Sequence, residues 1–135
     1  MRDTYTNWRV IADGDLTATE TAAGIEIGQA PIEGFPVVVH IPEQDDAADT
    51  LDITWEESDA LAGTYREFQK TRPRVTGSGT AAAPISLPDR LHNNLAFVRC
   101  VLTVAGATPN FGAVSVGMDA GAFRNALQAG PYTAP

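Results

Sequence analysis

The sequence has one cysteine, Cys100, one lysine, Lys70, and no apolar run near the ~18 residues that a membrane-crossing helix needs. A lone cysteine excludes an internal disulfide and any metal site built from several thiolates. The missing apolar run predicts no membrane span, and the opening MRDTYTNWRV lacks the apolar centre of a secretory leader. Long helical periodicity is also missing. Twelve glycines and nine prolines are spread over 135 residues, which excludes a coiled coil or a long helical bundle, because both residues break helix interiors. Positive charge is scarce, with 9 basic residues against 17 acidic ones for a net charge of −8. Such a surface repels phosphate, so neither DNA nor RNA is an expected partner. A chain of this length makes one domain and can bury a core without staples.

What is present is alternation. Apolar residues recur with period 2 far more often than with period 3.6. In Leu95–Val104, Ala96, Val98, Cys100, Leu102 and Val104 fall on one face, and Phe97, Arg99, Val101 and Thr103 on the other. Ala113–Met118 alternates again after the turn chemistry of Gly106–Gly112, and the two runs read as a hairpin with a moderately long loop. Pro36–Ile41 is a strand. Thr50–Glu57 fits a strand or a helix, and the β-branched Thr50, Ile53 and Thr54 favour the strand. Weaker strands are expected at Trp8–Ala12, Ile25–Gly28, Thr64–Gln69 and Pro84–Leu87, with Thr76–Ala83 a flexible loop. The one helical signal is a short turn after Asp119 containing Phe123 and Leu127, closed by Gly130-Pro131. About eight strands with frequent turns predict an all-β fold, a two-sheet sandwich of jelly-roll or Greek-key type with extended termini. Residues 1–11 are expected to form an arm and first strand, 12–118 the sandwich, and 119–135 a short helix and tail.

Charge is unevenly placed. Eight acids lie between Glu43 and Asp59, and four bases, Arg66, Lys70, Arg72 and Arg74, lie between Arg66 and Arg74. Each stretch reads either as a solvated face or as one of two complementary patches that meet between subunits.

Catalytic patterns are thin. His40 lies on the outward side of its strand, and His92 sits in a polar turn, Asp89–Asn94. No Gly-x-Ser-x-Gly elbow occurs, and Cys100 falls on a buried face, where a thiol is a small core hydrophobe rather than a nucleophile. Asp45, Asp46, Asp49 and Asp52 are crowded, yet they lack the order of ligands and the glycine of an EF-hand loop. No histidine pair has zinc spacing, and Gly77-Ser78-Gly79-Thr80 lacks the P-loop lysine. No catalytic residue, metal or cofactor is therefore expected. Trp8 and Trp55 could stack on a sugar, although the alternation around Trp55 points to the core. Arg99 reads as paired with an acid on an adjacent strand or as half of an interface ion pair.

Several segments taken in order carry a resemblance. They are Ala12–Leu16, Gly24–Gly28, Phe35–Ile41, Thr50–Asp59, Gly63–Phe68, Phe97–Thr108 and Gly112–Gly117. Across residues 12–118 this order resembles the small cement, or decoration, proteins of tailed-bacteriophage capsids. The resemblance implies a jelly-roll subunit on the outer surface of a virion, made in the host cytoplasm and bound to the major capsid protein. It implies self-association as a homotrimer at local threefold positions, and no enzymatic activity. Interfaces of that kind favour aromatic and arginine residues, which selects Tyr5, Trp8, Arg66, Arg72, Arg74 and Phe123 as contacts. Two rivals stand beside it. One is a carbohydrate-binding β-sandwich of a phage tail or secreted protein. The other is a hydrolase using His40 or His92 with a carboxylate.

Overall fold

The structure is a computed structural model and describes residues 9–11, 15–42, 48–77 and 84–117. Those residues form nine strands and no helix: β1 (Arg9–Ile11), β2 (Glu20–Thr21), β3 (Ile25–Glu26), β4 (Phe35–Ile41), β5 (Thr50–Ser58), β6 (Arg66–Thr76), β7 (Ile85–Leu91), β8 (Phe97–Ala105) and β9 (Ser115–Gly117). Sheet I has the order β1-β9-β4-β7, sheet II has the order β2-β8-β5-β6, and β3 also pairs with β8. Every pairing is antiparallel.

The two sheets share one core. Val37, Val39, Ile41, Leu87, Leu91 and Val116 of sheet I join Leu51, Ile53, Trp55, Val75, Val98, Cys100 and Leu102 of sheet II in a single buried cluster. This is a two-sheet sandwich, and alternation explains it. β8 buries Val98, Cys100 and Leu102 and turns Phe97, Arg99, Val101 and Thr103 outward, as the period of 2 predicts. Full burial of each Leu, Ile or Val contributes about 1.5–3 kcal/mol of transfer free energy. Leu16 and Phe111, both fully buried, are tied by Leu16 N donating to Gly112 O and Phe111 N donating to Leu16 O. Those two bonds fasten the β1–β2 connection to the β8–β9 connection.

The structure departs from the sequence reading in three respects. β8 and β9 are not a hairpin: β9 pairs with β1 and β4 in sheet I, so residues 106–114 cross from one sheet to the other. β2 is a strand with no alternation to announce it; it lies beside the strong strand β8 and takes its conformation from that ladder. The chain from β6 onward is more extended than the sequence suggests, since β6 runs to Thr76 and β7 to Leu91. Asp89, Arg90 and Leu91 are therefore strand residues rather than part of a turn. Nine strands agree with the expected count of about eight, since β2 and β3 are one broken edge: Ala22, Ala23 and Gly24 stand opposite Arg99 and Cys100 alone, a one-residue bulge. The short helix expected after Asp119 lies outside the described residues.

Two glycines have identifiable reasons. Gly106 has φ of 135°, and a Cβ there would collide with the carboxylate of the buried Asp49. Gly24 leaves room for the Tyr65 hydroxyl, which lies where its Cβ would be.

Candidate functional site

Of the expected contact residues, Tyr5, Trp8 and Phe123 lie outside the described residues. Arg66 is exposed at the start of β6, opposite Glu57 of β5. Arg72 and Arg74 flank Pro73 in an irregular stretch of the same strand, where residues 72–74 together face only Asp52 between the Leu51–Val75 and Ile53–Thr71 pairs. β6 is an edge strand, and a proline in a bulge is one of the devices that blunt such an edge.

The described parts of the acidic and basic stretches, each expected either as a solvated face or as half of a complementary pair between subunits, lie side by side in one hairpin. β5 carries Asp52, Glu56 and Glu57, and β6 carries Arg66, Lys70, Arg72 and Arg74 beside it. Lys70 Nζ donates to Thr54 Oγ1 at 3.2 Å and lies 3.7 Å from Glu67 Oε1. Across the hairpin Glu57 stands opposite Arg66, while Lys70 takes its acidic neighbour, Glu67, from its own strand.

A second polar cluster joins the sheets where edge β6 meets edge β7. The fully buried Trp55 donates from Nε1 to Thr71 Oγ1 at 2.8 Å, and Thr71 Oγ1 donates to Asp89 Oδ2 at 2.7 Å. Gln69 Nε2 donates to Asp89 Oδ2 and to Arg90 O, and Gln69 Oε1 accepts from His92 N. Asp89 faces inward because it pairs with Val37, whose side chain is in the core. This seam is the destination of Trp55, which is unavailable for stacking on a sugar.

The two imidazoles do not converge. His40 pairs with Ser86 and its Nδ1 lies 3.2 Å from Ser86 Oγ, whereas His92 follows Leu91, the partner of Phe35. Five residues of strand separate those positions, about 17 Å. Cys100 is fully buried, and burial pushes its thiol well above the usual range, so it cannot furnish a thiolate. Among the described residues no three His, Cys, Asp or Glu side chains gather as a metal site, and no helix is long and apolar enough to cross a membrane. Asp45 and Asp46 lie outside the described residues, Asp49 is buried, and Asp52 sits on β5.

Arg99 takes the cross-strand partner. It stands opposite Glu56 in the β5–β8 ladder and donates from Nε to Glu56 Oε1 at 2.7 Å. Sequence reasoning missed its second neighbour. The Tyr65 ring lies over the guanidinium, with the carbon 4.3 Å from the ring centroid, and the Tyr65 hydroxyl donates to Leu61 O at 2.9 Å. The loop after β5 brings Tyr65 back across the outer face of sheet II, a placement that no local pattern encodes.

No known family model matches this chain, and no curated protein matches it closely enough to count as a relative.

Proposed function

We propose that the protein is a structural component of a phage virion that binds the outer surface of the capsid and cements neighbouring major capsid subunits. The observation that carries this reading is the pairing of Arg9 with Gly117. That pair sets Arg9 of β1 beside Gly117 of β9 in sheet I. In the sequence Tyr5 and Trp8 come shortly before Arg9 and Phe123 shortly after Gly117, so the aromatic contacts selected from the sequence are all counted from one place in the fold. In this reading that region grips the neighbour and the rest of the sandwich is a spacer.

The strand order supports the same reading. Counting β2 and β3 as one broken edge gives eight strands, in the orders 1-9-4-7 and 2/3-8-5-6, and we read this as a jelly-roll wrap. Three of the four sheet edges are blunted against strand addition. β6 carries Pro73 and two register shifts, β7 carries Pro88, and β2–β3 is bulged. In a cement role, binding the assembled shell and not its separate subunits stabilises the shell by mass action. Repetition over a symmetric surface adds avidity.

The test is to add purified protein to expanded shells assembled without it. Saturable binding to the outside, with a higher shell melting temperature, is the expected result. A protein that stays in the supernatant at every concentration removes the reading.

A further inference from the structure

We infer that the Arg99–Tyr65 pair on the outer face of sheet II is a preorganised receptor for a carboxylate. This inference stands apart from the shell-binding reading and does not require it.

The Arg99 side chain is held on two sides. Its Nε donates to Glu56, and its plane is covered by Tyr65. Among the described residues Glu56 is the one acceptor that Arg99 reaches, and it does so through Nε, which leaves the two Nη groups of the fork for another acceptor. The side chain keeps 32% of its surface in contact with solvent.

A free arginine must lose rotamer freedom when it forms a bidentate bond, and here much of that ordering is already done. The neighbours suit a ligand with an apolar stem. Phe97 and Val101 flank Arg99 two residues away on the same face, roughly 7 Å to either side, and both are half-buried. Tyr65 adds an aromatic wall, itself fixed by its bond to Leu61 O and its contact with Gly24.

The fork geometry fits carboxylate and phosphate alike. The local charge decides between them. Glu56 is bonded to Arg99 already, and the exposed Glu26 shares this face as the partner of Phe97. Two nearby carboxylates penalise a doubly charged phosphate more than a singly charged carboxylate. The ligand class is therefore a carboxylate on an apolar or polypeptide stem.

Titration of the ¹⁵N-labelled full chain with sodium acetate, followed through the Arg99 Nε–Hε signal and the Tyr65 and Gly24 amides, tests the assignment. The Arg99 signal is expected to shift saturably, and by about threefold or more beyond the Nε–Hε signals of Arg66 and Arg90. Arg99→Lys keeps the charge but lacks the fork and should abolish the shifts at Tyr65 and Gly24. Tyr65→Leu should weaken the response severalfold while the amides of Val98 and Leu102 stay in place, which shows that the fold is kept. Equal shifts at all arginines, no shift at Arg99, or tighter binding of inorganic phosphate at matched ionic strength would each overturn the proposal.

Discussion

Cys100 shows how completely position decides what a side chain can do. On an exposed loop a thiol titrates near pH 8.5 and reacts, but on the inner face of β8 it is fully buried and its ionisation is suppressed by loss of solvation. A raised pKa in the folded state also has a consequence for stability. Below the unfolded thiol's pKa both states are protonated and the residue adds no pH dependence. Above it the unfolded chain releases a proton that the folded chain retains, so stability falls as pH rises, by up to about 1.4 kcal/mol per pH unit from this group. Urea unfolding of the wild type and of Cys100→Ala between pH 8 and 10 should show a steeper decline for the wild type. Parallel curves would mean that Cys100 is not protected. The burial of Cys100 was legible in the sequence because Val98 and Leu102 flank it at a spacing of two. The role of Tyr65 was not, since its meeting with Arg99 depends on the path of residues 59–64.

Among the elements, β2 is the strand that nothing in the sequence announced, whereas the short β1, β3 and β9 were expected and β6 and β7 were expected in part. β4, β5 and β8 carry enough alternating apolar residues to declare a buried face, whereas β2 is two polar residues that become a strand only by lying beside β8. Sequence adjacency misled at β8 and β9, because a loop long enough to close a hairpin is also long enough to cross between sheets. The seam between β6 and β7 could not be foreseen, since Thr71, Gln69 and Asp89 look like ordinary surface residues of two unrelated strands. Side chains hold this side of the sandwich together, which makes the seam a place where local opening can begin. Thr71→Val removes at once the acceptor of Trp55 Nε1 and a donor to Asp89. The expected cost is about 1–3 kcal/mol by denaturant unfolding. Amide exchange should rise in β6 and β7 before it rises in β8. A loss well below that range, with uniform exchange, would show that the seam contributes little.

Viewed whole, the molecule is an acidic sandwich, and three of the four edges of its two sheets carry a proline or a bulge that resists strand pairing. Ile32 and Leu61 are the large apolar side chains exposed among the described residues, and each stands on a separate loop. Apolar residues scattered singly in this way are ordinary on a protein surface and do not make an interface. The residues next to the Arg9–Gly117 pair in the sequence are different, because they include the aromatic contacts of the proposed interface. Trp8 adjoins that pair, and Phe123 follows it by six residues. If both side chains enter one site on a capsid subunit, removing either disturbs the seat of the other. Trp8→Ala and Phe123→Ala should each weaken shell binding by about 1 kcal/mol or more. Residues that share a site have coupled effects, and residues in separate contacts have additive ones, so the double variant should depart from the sum of the singles by about 0.5–3 kcal/mol. Binding isotherms of the four proteins on the same shells measure this directly. Strict additivity would assign Trp8 and Phe123 to separate contacts.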